Sequence, residues 1–410
     1  MLRAPHQRRR RTPFDVLRRT AAATVAVVLA LTVSACSGDG DDDTSPRGLA
    51  DPSGSAAAPD GTPTGEPPIT FATPTGTSGL LDYPHFVTAM AVVPQKAAVV
   101  TFTDLDLVKK RLGYAEVTSE IPASDRFDFW ERARADGAMF TGTRLYDASS
   151  VMSLDYGWTG EDVAWEVDYV LTEDGCQRSM LCDTSHGFVL GLRRDLDWSV
   201  VTKSLQDNGF EADPTDDETF RTDDPKAPFE LVHLIPELHA IAGGNELGLQ
   251  RISDVVDGAP PYAPLLGPIY DRLDTVESMH AATGCVDLPA ALGPDATTDD
   301  ITAFLKKNPI GDLAAPVATT VVVSDRRAAD IEVEVGADAP PDDLAVRQTA
   351  IESWPGLQTG IPFAEVAAVR GERADAYESF DVEVSDPATF RAMVLTDDAP
   401  WALCPYSEAG

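Results

Sequence analysis

From about Leu80 onward, the apolar and polar positions of this chain fall into short regular patterns that predict an α+β protein. Ala97–Phe102 reads as a strand. Asp104-Leu105-Asp106 then opens a short helix that Gly113 closes. Asp125 to Ala135 carries a helical pattern, and Asp162 to Val170 a strand with Val163, Trp165 and Val167 on one face. Gly187 to Leu192 is a further strand. Asp195-Leu196-Asp197 opens a helix through Trp198, Val201 and Leu205, which Gly209-Phe210 ends. The order strand, Asp-Leu-Asp, helix, Gly-aromatic therefore occurs twice, as an old duplication or coincidence would equally leave it. In both units the aspartates suit helix caps, where a carboxylate accepts free backbone N–H groups at the positive dipole end.

Asp213 to Asp224 is expected to be an acidic surface loop, and Leu231 to Ile252 two strands around a turn at Gly243-Gly244-Asn245. Pro260, Pro261, Pro264 and Pro268 mark a junction. Ile269 to Ala282 then predicts an amphipathic helix with Ile269, Leu273, Val276 and His280 near one face. A helix at Thr298–Lys307 precedes two strands, Val317–Val323 and Asp330–Val335, paired across Asp325-Arg326. Pro341 to Trp354 reads as a helix, Ala364–Arg370 and Ala376–Val384 as strands, and Asp386-Pro387 as the start of a last helix toward Trp401 and Cys404. The expectation is two α+β domains with largely antiparallel sheets, at 81–258 and 285–410, joined by a Pro-rich junction and helix at 259–284.

The N-terminus has a different composition. Arg3, Arg8 to Arg11, Arg18 and Arg19 precede an apolar run, Ala21–Leu31, that ends in Val33-Ser34-Ala35-Cys36. About a dozen apolar residues fall short of the roughly 20 that span a bilayer as a helix. Basic start, short apolar core and small residues before cysteine together form an export signal. Val33-Ser34-Ala35-Cys36 resembles the lipobox of bacterial lipoproteins, and the bias toward Ala, Asp, Pro and Arg over Lys resembles actinobacterial proteins. The resemblance covers residues 1–36. It implies cleavage after Ala35, acylation of Cys36 and attachment of the body to the outer side of the cell membrane, by the secretory or the twin-arginine route. Residues 36–80 are acidic, then rich in Pro, Gly, Ser and Thr, and read as a disordered tether. Asp39, Asp41 and Asp43 alternate like a calcium loop, but Thr44 and Ala50 stand where that loop needs Gly and Glu.

A formal charge of −35, more negative once the basic signal is removed, argues against nucleic acid as a partner. Besides Cys36 there are four cysteines, Cys176, Cys182, Cys285 and Cys404. An even number in an exported chain suggests disulfides; four allow three pairings, and Cys176–Cys182 with Cys285–Cys404 is favoured. The spacing suits neither structural zinc nor a redox pair. The best binding candidate is the aromatic group Tyr156, Trp158, Trp165 and Tyr169, although a strand face of Val163, Trp165 and Val167 favours burial as core.

No nucleophile elbow, zinc-binding H-E-x-x-H or phosphate loop is present, and no cofactor or metal is implied. His233 and His239 flank Pro236 and cannot share a helical face, and Ser185-His186 are adjacent in sequence. The expected role is non-enzymatic binding or scaffolding by a lipid-anchored envelope protein. A transporter's solute receptor is the alternative, which parallel βαβ units would favour. A cell-wall hydrolase is a further one, which converging acid–base groups would favour.

Overall fold

The computed structural model describes residues 69–70, 79–137, 156–171 and 185–404, apart from breaks at 215, 225–228, 245, 257–258, 268, 287, 289–291, 293–295, 309–312, 358, 397 and 399. Cys36, Cys176, Cys182, the signal and nearly all of the tether lie outside the described residues.

The chain begins with β1 (Ile69–Thr70), α1 (His85–Met90), β2 (Ala97–Asp104), α2 (Leu105–Leu112) and α3 (Ala123–Asp136). Next come β3 (Val163–Leu171), β4 (Ser185–Leu192), α4 (Trp198–Asp207), β5 (Glu211–Asp213), β6 (Asp216–Arg221), β7 (Leu231–Ile235), β8 (Ala240–Gly244) and α5 (Glu246–Val256). The remainder is β9 (Leu265–Leu266), β10 (Ser278–Thr283), α6 (Thr298–Lys307), β11 (Ala318–Asp325), β12 (Ala328–Glu334), α7 (Asp343–Ser353), α8 (Phe363–Val366), β13 (Ala367–Ala374), β14 (Tyr377–Val384) and α9 (Pro387–Leu395).

Twelve strands form one antiparallel sheet in the order β13-β14-β12-β11-β10-β2-β3-β4-β8-β7-β6-β5, and β1 pairs separately with β9. The fold is therefore α+β, as the patterning predicts. The expected caps are in place: Asp104 accepts the Leu107 N–H at 2.9 Å, Asp197 that of Ser199 at 2.9 Å, and Asp386 that of Thr389 at 3.2 Å.

The segment Ile269 to Ala282 does not form the expected helix. It makes a 3-10 stretch at Tyr270–Thr275 and then β10, which sits inside the sheet between β2 and β11. The helical spacing of Ile269, Val276 and His280 is accidental; Met279 and Ala281 alternate against Ser278 and His280, and strand partners on both sides enforce that period of two. The acidic stretch after Asp213 is a hairpin rather than a loop, because Phe220 is buried between exposed acids and anchors β6. The turn of the β7–β8 hairpin lies at Pro236–Leu238, with His239 left-handed at φ 47°, and not at the glycines. Gly243 lies within β8, where the Phe188 ring occupies the space a side chain would need, and Glu246–Val256 is helical. Phe363–Val366 is a helical turn, so that strand starts at Ala367.

Helices α1 and α5 pack one face of the sheet around β2, β3, β4 and β8; we call this the first face. On the second face, α2, α3 and α4 cover the β3–β7 side, while α7, α8 and α9 cover β11 to β13. The latter core is drawn from residues 286–403 alone, and Cys285 is disulfide-bonded to Cys404 across 119 residues. Closing so long a loop contributes roughly 4 to 5 kcal/mol by the chain-entropy model.

The two halves are tied at one end of the strands. The Glu277 backbone bonds Asp104 and Val323 on either side, at 2.8 and 2.9 Å. Its buried carboxylate accepts two hydrogen bonds from Arg111, at 2.6 and 2.9 Å. Arg111 also pairs with Asp136, which Arg326 of the β11–β12 turn meets at 2.8 Å. Burial pushes the Glu277 carboxyl up, and Arg111 opposes that. Replacing Arg111 by Met should leave Glu277 uncompensated and cost about 3 to 5 kcal/mol, whereas adding Glu277→Gln should restore part of that loss. Urea melts of both variants at neutral pH check this.

Candidate functional site

Most buried charges in the protein join its elements. Lys109 donates to the carbonyls of Glu161 and Val163, both at 2.8 Å, and Trp130 donates to the Glu161 carboxylate at 2.8 Å. Asp162 accepts from the Thr159 and Ser119 backbones, at 2.9 and 3.1 Å, and pairs with Arg193 at 3.1 Å. This network fastens α2 and α3 to the start of β3. In the other half, buried Arg347 donates to Glu378 at 2.8 Å, to Asp343 at 3.0 Å and to the carbonyls of Trp401 and Ala314. Burial pushes Glu378 up against the pull of Arg347. Clusters so densely partnered specify packing.

The four aromatic candidates are buried, and they do not converge. Tyr156 and Trp158 join Phe210 and Phe229 in the core on the second face, with Trp158 stacked on Phe229 at 6.3 Å. Trp165 and Tyr169 belong to the first face. The Tyr169 hydroxyl donates to the Gly248 carbonyl of α5 at 2.7 Å, and burial pushes its pKa far up. Gly187 and Gly191 lie beneath the Tyr169 and Trp165 rings, where any Cβ would collide with them. These rings are side chains of two cores on opposite sides of one sheet. His233 meets Thr219 at 2.9 Å beside Asp216, as part of the β6–β7 pairing.

The feature that packing alone does not explain lies at the centre of the second face. Two rows run across five adjacent strands there. The registers give Val323, Ser278, Thr103, Glu166 and Leu190 in the first row, and Val321, His280, Thr101, Asp168 and Phe188 in the second. Each row is apolar at its two ends and polar at the three positions between. Ser278, Thr103 and Glu166 are buried, and Thr101 and His280 nearly so, while Asp168 is half-buried. The floor is therefore deepest at the first row and opens past Asp168.

Thr101 Oγ1 lies 3.1 Å from His280 Nδ1. The buried Ser278 hydroxyl has no hydrogen-bond partner among the described residues. From above, Arg391 of α9 extends toward this floor. Burial pulls the Arg391 guanidinium down from its ordinary range, the Glu166 charge opposes that, and Arg134 of α3 adds to it. Its buried Nε also has no hydrogen-bond partner. α3 and α9 abut, with Gly137 packed so closely on the Pro387 backbone that no Cβ fits there. A buried hydroxyl without a partner costs about 1 to 3 kcal/mol. Two acids, one guanidinium, an imidazole and hydroxyls around one floor suit a small polar molecule that both donates and accepts.

No family model matches this chain, and no curated protein matches it. Among solved structures it is similar to two crystal forms of TP0453. Form I has 10% sequence identity and a TM-score of 0.37, with 76% of this chain and 97% of that chain covered. Form III has 10% identity and a TM-score of 0.35, with 75% and 98% covered. Overlap at that level assigns neither family nor activity.

Because both tryptophans are core, Trp158→Ala and Trp165→Ala should each destabilise by about 3 to 5 kcal/mol. Thermal melts check this, and unchanged melting for either would return that ring to the surface.

Proposed function

We propose that this is a lipid-anchored, extracytoplasmic envelope protein whose body binds a small polar solute without transforming it. The anchoring part rests on the sequence Val33-Ser34-Ala35-Cys36 behind a basic and apolar leader. The binding part rests on one observation: the polar triplets Ser278-Thr103-Glu166 and His280-Thr101-Asp168 lie side by side between apolar layers, with Arg391 of α9 near enough to feel the Glu166 charge. Folding has already desolvated these groups and leaves the Ser278 hydroxyl without a partner among the described residues, so a hydroxyl-bearing solute that bonds it meets a preorganised site. Every pairing between the described strands is antiparallel, which gives no support to a receptor built of parallel βαβ units.

A hydrolytic reading draws on the Thr101–His280 contact, a hydroxyl beside an imidazole. In that contact the hydroxyl reaches across the floor to its neighbouring strand, which suits orientation of a bound solute.

Two measurements test the proposal. Cys36→Ala should lose labelling by an alkyne fatty acid and leave the membrane fraction; persistent labelling sinks the anchor. Wild-type protein released from its own membranes should carry a small non-covalent adduct in native mass spectra, unaltered on storage. The Glu166→Gln/Arg391→Met variant should lose it while retaining its circular-dichroism spectrum. Absence of any adduct from the wild type removes the solute site, and conversion of the adduct on storage favours hydrolysis.

A further inference from the structure

Among the described residues, helices cover the first face of the sheet only on its β10–β7 side. Over β12, β14 and β13, which lie beyond β11, the described residues place only the short segment around β9, Gly267 and Arg272 at the margin. The registers put Asp330, Glu332 and Glu334 of β12, Asp381 and Glu383 of β14 and Glu372 of β13 on this face. Arg370, cross-strand from Asp381, is the basic residue that these strands add to it. Six carboxylates thus share a surface three strands wide.

Alternation with one solvated face is ordinary for an antiparallel sheet, but two details here depart from it. Asp330 and Asp381 stand directly opposite each other, where like charges repel across strands. Glu332, at 1% exposure, is buried beneath Gly267, with one oxygen accepting from Ser379 and the other, Oε1, without any partner. Burial, with Asp330, Glu372 and Asp381 adding to it, pushes Glu332 up to about 8. Burial and Asp381 push Asp330 up to about 6, against Arg272.

We propose that this acidic face is a docking surface for a basic polypeptide segment, whose lysine or arginine heads meet Asp330, Asp381 and Glu372 alongside Glu332, whose unpaired oxygen lies under Gly267 at the inner edge of the face. Charge complementarity selects the occupant. Acids on neighbouring strands stand about 4.8 Å apart, and alternate residues along a strand about 6.8 Å apart. Long cationic stems on a partner's backbone can meet that grid. Among the described residues, no group of three or more such side chains is placed to hold a metal ion. An anionic lipid surface carries the wrong sign.

The test must separate this face from the general attraction of an acidic protein for any cation. The probe is a fluorescent peptide of alternating lysine and valine, titrated at physiological salt. One variant carries Asp330→Asn, Glu332→Gln and Asp381→Asn. The control carries Glu211→Gln, Asp217→Asn and Glu218→Gln, which removes the same formal charge from the exposed β5–β6 hairpin. The face variant should bind about tenfold more weakly, with the control near wild type.

Wild-type affinity should rise between pH 6.5 and pH 8.5, as Glu332 gives up its proton to solvent and its charge attracts the docked cation. In Glu332→Gln that rise should flatten. A native carboxyl raised above its unfolded value binds extra protons between the two values, so wild-type stability falls as pH rises through that window and the Gln variant should not share the fall. That melt shows whether Glu332 is buried as described, independently of any peptide. Equal weakening in both triple variants, or an unchanged pH dependence in Glu332→Gln, overturns the proposal.

Discussion

Everything in this structure depends on the pairing of β10. Its six residues hydrogen-bond β2 on one edge and β11 on the other, and among the described residues no other strand joins the two sides of the sheet. The rest of the ladder is built of strands from within each half. Just before β10, Glu277 carries a buried carboxylate whose charge is compensated by Arg111, and Arg111 and Arg326 share Asp136. A buried carboxylate is tolerable only with such partners. The ion cluster therefore fixes the register of β10 as well as the approach of α3 and the β11–β12 turn. Strand pairing supplies continuity, and the clamp makes one alignment preferable to a two-residue slip.

That constraint explains which parts of the fold were legible. Strands β2, β3, β4, β11, β12 and β14, and the helices after Asp104, Asp197 and Asp386, were readable because their apolar period and caps are local properties. The β10 segment was not. Its side chains, Ser-Met-His-Ala-Ala-Thr, are poor strand formers, and partners about 40 residues later and 180 earlier override that preference. Phe220 alone distinguished the β5–β6 hairpin from a loop, because the residues around it are acidic. Glycines 243 and 244 resembled a turn but serve close packing under Phe188 and against the His186 backbone.

The candidate site was hidden for a different reason. Thr101 and Thr103, Glu166 and Asp168, and Ser278 and His280 each alternate with buried apolar residues; the first two pairs alone read as the wet side of a strand, and the third lies in a segment patterned as a helix. Only cross-strand register brings the three pairs side by side, and the Arg391 charge comes to Glu166 from α9, far away in sequence. The aromatic stretch gave the opposite error of emphasis. Tyr156, Trp158, Trp165 and Tyr169 are dense in sequence, but alternation and the intervening bend send two to each core. Local density did not mean spatial convergence, and spatial convergence left no local density.

The two faces of the sheet set different conditions for binding. The floor on the second face is enclosed by helices, so its polar groups act in a poorly screened environment and favour a solute that matches them hydrogen bond for hydrogen bond. The acids on the first face are open at β13 and β14, where salt weakens long-range attraction and only contacts within about 8 Å retain much force. Glu332 stands between these regimes, on the open face by register and in the interior by burial. A cation held beside it gains more than one resting on Asp381 or Glu383, because less water competes for the charge. Specificity for a basic partner would therefore be set at the inner edge by Glu332, and the rate of encounter by the exposed acids around it.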